Sequence, residues 1–244
     1  MSARGSIIRQ PDYGLDAPPV VYVFLVVAVF GAVALGLGVH FSSLLIDAVG
    51  VLVLLVGVAF AAAMAYSSRR GKILLRDRIF DEIQFRGDED ILDLGCGRGL
   101  MLLGAVVRAT RGSGTGIDLW RNQDQGGSSR ENCLENARRL GVSERVRLVD
   151  GDMSDLPFAD GSYDLITASL AIHNISDRER RAATFREIFR VLRPGGRFVV
   201  VDFAKTAEYA EDAQRAGLVE VRRSGVQVLM FPLVRVVQGV RPAA

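Results

Sequence analysis

At 244 residues the chain has room for one full α/β domain and a modest extra segment, but not for two large domains. Thirty basic residues stand against 28 acidic ones, so no global field points to a nucleic-acid partner and none is expected. The two cysteines, Cys96 and Cys133, lack C-x-x-C spacing, which argues against a disulfide framework and a zinc site.

The first 19 residues form a short segment carrying Arg4 and Arg9. Mean hydropathy is +0.23, high for a soluble enzyme, and the excess is concentrated in residues 20–66. Val20–Val39 (VVYVFLVVAVFGAVALGLGV) has no charge, and at about 1.5 Å of rise per residue it matches the roughly 30 Å hydrocarbon core of a bilayer. After His40-Phe41-Ser42-Ser43 a second apolar run begins at Leu44 and is uncharged from Ala48 to Tyr66. Residues 20–66 are therefore expected to form a transmembrane helical hairpin. A cleaved signal peptide would not be followed at once by a second run, and a buried helix pair of a soluble bundle would show a polar face. Asp47, in the first turn of the second run, reads as a boundary residue. Gly31, Gly36, Gly38, Gly50 and Gly57 permit close helix approach, within the hairpin or between copies in a homo-oligomer. Basic residues flank the hairpin and none lies in its turn, which places both termini and the large domain in the cytosol. Residues 67–87, with Arg69, Arg70, Lys72, Arg76 and Arg78 among apolar side chains, read as a basic linker or first helix near anionic headgroups.

From residue 88 to 244 short β-type runs alternate with helical patterns. Strands are expected at Asp90–Leu94, Gly114–Leu119, Val146–Asp150, Tyr163–Ser169, Arg197–Phe203 and Val219–Ser224, with a last one inside Val226–Val240. Helices are expected at Leu100–Thr110, Ser128–Leu140, Asp177–Leu192 and Lys205–Ala216, the second and fourth stopped by Gly141 and Gly217. This alternation implies a mainly parallel, doubly wound sheet covered by helices on both faces, with ligands bound outside the carboxyl ends of the strands.

The stretch ILDLGCGRGL puts a glycine loop at that position. A dinucleotide fingerprint would need a third glycine at position 100, which is Leu100, and no Lys-Ser or Lys-Thr closes a P-loop. Asp93 beside the loop suits a ligand with a cationic group better than a pyrophosphate. Asp118, ending the second strand, can accept from ribose hydroxyls, and Asp152 with Met153 follows the third.

ILDLGCGRG, TGIDLW, VDGDMSDLPF, YDLITASLAIHNI and EIFRVLRPGGRFVVVDF, in that order, closely resemble the class I S-adenosylmethionine-dependent methyltransferases over roughly residues 73–242. The resemblance implies a seven-stranded Rossmann-like methyltransferase fold with S-adenosyl-L-methionine as cofactor. It also implies that Asp93, Gly95, Gly97 and Gly99 line the methionine side of the cofactor, that Asp118 binds the ribose, that Asp152 with Met153 holds the adenine, and that Cys96, Leu119 and Ser169 belong to the same cofactor site. RVLRPGG would be the turn leading into the fifth strand.

Methyl transfer from a sulfonium is an in-line displacement in which positioning supplies much of the acceleration, and a base is optional. His173 could take a proton from the acceptor and Asn174 could orient it; Asp202 is a further candidate. No N-P-P-Y-type segment follows the fourth strand, so the family's pattern for nucleic-acid bases is absent. Tethering to a bilayer favours a small hydrophobic or lipid-like acceptor through effective concentration. The other readings are a cofactor-binding protein without turnover, and a methyltransferase for a soluble molecule with a passive anchor.

Overall fold

A computed structural model describes residues 10–16, 18–120 and 130–243. Two apolar helices come first, α1 (Pro18–Phe41) and α2 (Leu44–Tyr66). They pack antiparallel through backbone contact: a Cβ added at Gly31, Gly50 or Gly57 would lie 2.3–2.5 Å from a backbone nitrogen of the facing helix. Gly38 abuts Asp47 in the same way, whereas Gly36 faces open space and takes no part in the contact. Asp47 thus turns inward against Gly38, and its buried Oδ1 has no hydrogen-bond partner among the described residues. The outward faces stay apolar and exposed, as at Phe30, Val39, Leu45 and Leu52. Both helices are long and apolar enough to cross a membrane.

α2 does not end in a linker. A π-helical turn (Ser67–Gly71) carries it directly into α3 (Lys72–Asp81), so the helical path runs unbroken from Leu44 to Asp81. Lys72, Arg76 and Arg78 of the basic segment lie on α3, and Arg69 and Arg70 on the π-helical turn.

The sheet comprises β1 (Asp90–Leu94), β2 (Ser113–Asp118), β3 (Val146–Asp150), β4 (Tyr163–Ser169), β5 (Leu192–Asp202), β6 (Val219–Arg223) and β7 (Arg235–Val240). Their spatial order is β3-β2-β1-β4-β5-β7-β6, with β7 antiparallel to both of its neighbours and the rest parallel. This is the Rossmann-like, doubly wound arrangement of the methyltransferase fold. The helices α4 (Leu100–Arg108), α5 (Arg130–Arg139), α6 (Arg178–Val191) and α7 (Thr206–Arg215) alternate with the strands. Ser128 and Ser129, expected to open α5, lie outside the described residues.

The two-residue period of the strands sorts the core into two layers. Ile91, Val199 and Val201 face α3, α4 and α5, while Leu92, Leu94, Phe198 and Val200 face α6 and α7. Leu92, Leu94 and Phe198 have no exposure at all, and each such side chain contributes about 1.5–3 kcal/mol by leaving water. One boundary departs from expectation. β5 begins at Leu192, which pairs with Tyr163, and the register shifts before Leu165 meets Arg197. The Arg193-Pro194-Gly195-Gly196 stretch is therefore an irregular start to the strand instead of a turn ahead of it.

The hairpin is seated on the carboxyl edge of this sheet. Phe231, in the β6–β7 connection, packs on Phe60 and Phe24 at ring separations of 5.3 and 6.4 Å. Ser67 Oγ accepts from Phe231 N–H (2.8 Å). A Cβ on Gly71 would lie 1.7 Å from the Leu229 carbonyl oxygen, so only glycine lets these two backbones meet.

Candidate active site

Strand order reverses between β1 and β4, and the loops after β1, β2, β3 and β4 converge there. Asp93 stands in register with Thr167 of β4, whose hydroxyl donates to Asp93 Oδ1 (2.7 Å). Its Oδ2 accepts from Leu102 N–H (3.1 Å) in the first turn of α4. The carboxyl is 2% exposed, and burial pushes its pKa up to about 7 in spite of those two bonds. Asp93 thus clamps the glycine loop between β4 and α4.

The loop itself is closed by backbone donors. Gly95 N–H donates to Ile117 O (2.8 Å), and Gly97 N–H donates to Asp118 Oδ2 (2.8 Å). Asp118 Oδ1 accepts from Trp120 N–H (2.8 Å), so this carboxylate joins the loops that follow β1 and β2. Gly95 has φ +66°, and a Cβ there would sit 2.5 Å from Ala171 Cβ, closing the space between the β1 and β4 loops.

That space is a cleft of about 140 Å³. Gly95, Asp118, Leu119, Asp152, Met153 and Asn174 all line it. Asp152 Oδ1 accepts from the backbone and hydroxyl of Ser154 (2.8 and 2.6 Å), and its Oδ2 from Arg180. Burial works against its charge, yet the Ser154 bonds and the Arg180 guanidinium hold its carboxyl below the usual range.

A second, smaller cavity lies on the other side of the glycine loop, where Asp93, Cys96 and Ser169 meet Lys72 and Asp16. Gly97 and Gly99 line neither cavity: Gly97 supplies its N–H to Asp118, and Gly99 packs against Cys133 and Leu103. Cys96 is buried under the loop against Gly116.

His173 also lines neither cavity. It sits in a short 3₁₀ turn (Ile172–Asn174) after β4 and faces the end of β5, with Nδ1 3.0 Å from Asp202 Oδ1 and its ring 4.5 Å from that of Phe203. Its backbone N–H donates to Asp202 Oδ2 (3.3 Å), to which the Tyr209 hydroxyl also donates (3.4 Å). Asp202 has no exposure, so it acts from beneath the turn and does not face the cleft. Sequence reasoning missed Trp120 and Arg180 in the cleft, and Tyr13, Asp16, Lys72 and Met230 around the smaller cavity. The position of Arg180, within the first turn of α6 directly after the β4 loop, was the one local signal that could have found any of them.

Carboxylates at the ends of β2 and β3 and an apolar Met153 give the cleft acceptors for a ribose and an amino-purine edge with a flat surface to stack on. Residues 92–200 match the family model described as a methyltransferase domain. The demethylmenaquinone methyltransferase of Symbiobacterium thermophilum is 36% identical over 129 residues, which cover 51% of this chain and 46% of that protein. The sterol 4-C-methyltransferase of Caenorhabditis elegans is 29% identical over 138 residues, covering 57% of this chain and 38% of that one. The chain thus spans less than half the length of these curated relatives. Among solved structures, the [4+2]-cyclase SpnF superposes with a TM-score of 0.58 at 19% identity, covering 70% of this chain and 82% of that one. Residues 92–200 thus match a methyltransferase domain, set in a sheet whose strand order is that of the Rossmann-like methyltransferase fold.

Proposed function

We propose that the chain is a membrane-anchored S-adenosylmethionine-dependent methyltransferase that methylates a small hydrophobic or lipid-like acceptor at the cytosolic membrane face. The observation that carries this reading is the seat of the hairpin. Two helices with exposed apolar faces stand on the carboxyl edge of the sheet, the edge at which the cofactor cleft opens. The similarity to a demethylmenaquinone methyltransferase and a sterol 4-C-methyltransferase supports an acceptor of that class.

When bound, the cofactor supplies an electrophilic methyl group on a sulfonium. The chain's own residues do the rest. Asp118 and Asp152 hold the ribose and adenine, with Met153 against the base, and Gly95 keeps the passage open toward the β4 loop. Asn174 faces the cleft and orients the acceptor. His173, beside Asn174 in the 3₁₀ turn, is the residue assigned to take a proton from the acceptor, its ring lying against Asp202 and Phe203 at the margin of the cleft.

The test uses the full chain in lipid vesicles with radiolabelled cofactor. Transfer to an extracted lipid or quinone fraction should proceed when acceptor and enzyme share a vesicle, and fall at least tenfold when they occupy separate vesicles. Equal rates in both arrangements would make the hairpin a passive anchor. Cofactor binding without transfer to any fraction would leave a binding protein, in keeping with a fold that a cyclase also uses.

A further inference from the structure

Residues 10–16, which precede the hairpin, cross back over the glycine loop as a strap. Asp12 N–H donates to Asn136 Oδ1 (2.8 Å), and Asn136 Nδ2 donates in return to Asp12 O and Arg98 O (2.9 and 3.0 Å). Tyr13 is buried, and Arg98 pairs with Asp12 across the strap. Asp16 N–H donates to Ser68 Oγ (3.0 Å) in the π-helical turn. Lys72 closes the arrangement: it is 3% exposed and spends its ammonium on Tyr13 O, Gly14 O and Asp16 Oδ1, at 2.9–3.0 Å.

One atom in this set has no partner among the described residues. Asp16 Oδ2 is buried and accepts nothing there, and Asp16 is one of the residues that line the smaller cavity, together with Asp93, Gly95 and Ser169. The cavity holds about 30 Å³, the room of one water-sized group. Asp93, also in the lining, carries one hydrogen bond on each oxygen, from Thr167 and Leu102. A buried carboxylate oxygen left open beside a water-sized space is costly unless a donor fills it, and a cationic donor fills it best.

We propose that Asp16 accepts the α-ammonium of the cofactor's methionine moiety, with Lys72 as the positioning residue that fixes its carboxylate. The cofactor site is then completed by residues on both sides of the hairpin, one before α1 and one after α2, neither within the matched domain. This rests on the cofactor reading of the adjoining cleft. It also means that removing residues 1–68 destroys part of the cofactor site as well as the anchor.

The experiment measures binding of S-adenosylhomocysteine and 5′-methylthioadenosine to the full-length chain in detergent by calorimetry. The second ligand keeps the nucleoside but lacks the amino-acid end. Asp16→Asn should weaken S-adenosylhomocysteine by about tenfold or more and leave 5′-methylthioadenosine unchanged, with Asp16→Glu recovering part of the loss. Unchanged affinity for S-adenosylhomocysteine, or equal losses for both ligands, would overturn the assignment, the second outcome marking a merely structural role. If the wild-type chain binds neither ligand, the cofactor reading of the cleft fails and the proposal falls with it.

Discussion

Replacing Asp93 by asparagine tests the electrostatics at the centre of the site. The substituted amide keeps an oxygen for one of the two donors, Thr167 Oγ1 and Leu102 N–H, but turns its NH₂ toward the other. Donor then faces donor in a buried place, at a cost of about 1–3 kcal/mol. An opposing effect grows with pH. In the unfolded chain the carboxyl ionises near its ordinary 3.8, whereas burial lifts it to about 7 in the folded state. Between those values the folded state binds more protons, so wild-type stability falls as pH rises through that window, by roughly 4 kcal/mol at most. The amide does not titrate and escapes that loss. The variant should therefore be less stable than wild type at pH 5, and the gap should close or reverse by pH 8. Chemical denaturation of both full-length proteins in mild detergent, followed by circular dichroism from pH 5 to 8, gives the difference directly. A gap that stays constant, or widens with pH, would refute the reasoning, because it would mean that the buried carboxylate is stabilised in its charged form.

Gly95→Ala places a Cβ 2.5 Å from Ala171 Cβ at φ +66°; calorimetry should show cofactor affinity reduced at least tenfold while far-ultraviolet circular dichroism is unchanged. Gly71→Ala drives a Cβ into the Leu229 carbonyl, where backbone meets backbone, and should free the β6–β7 connection from the hairpin base, read as faster amide exchange at residues 229–231. His173→Gln should lower kcat by about 10²- to 10⁴-fold with cofactor affinity intact. Asp202→Asn should lower kcat in the same direction through the imidazole it faces, and wild-type turnover in either variant would remove the base from the mechanism.

Much of this architecture is legible in the sequence because it is written in local periodicity. The uncharged runs become α1 and α2, and the alternating segments become strands whose ends shift by a residue or two, as at Ser113–Asp118. The glycine loop, Asp118, Asp152 and Met153 converge because each follows a strand that ends at the same edge. Other features depend on register or on contacts between distant segments. Asp93 reads in the sequence as a partner for a cation, and what spacing does not show is that register sets Thr167 opposite it and α4 supplies a second donor. Asp16 and Lys72 are 56 residues apart and meet only because the hairpin returns the chain to its starting edge. No hydrophobic period or spacing encodes such a meeting. His173 is readable as a polar residue after β4, but its rotation toward Asp202 follows from the 3₁₀ turn that carries it.

The unbroken path from α2 into α3 adds a distance to the proposed function. A flexible linker would let the domain sample many heights and orientations above a bilayer, whereas a continuous helix fixes both. Lys72 follows Tyr66, the last residue of α2, by six positions, which is about 9 Å of helix. Lys72 also lines the smaller cavity beside the glycine loop. If α2 spans the hydrocarbon layer and Asp16 holds the cofactor as proposed, the amino-acid end of the cofactor lies about one headgroup layer from the edge of that layer. An amphiphile whose polar end rides at the interface can then present that end to the methyl group while its apolar tail stays in the bilayer. An acceptor that must leave the membrane would incur the transfer cost of its tail, about 0.8 kcal/mol per methylene. Under the proposed function, the rigid joint between hairpin and sheet then favours acceptors in proportion to the length of tail they are spared from exposing.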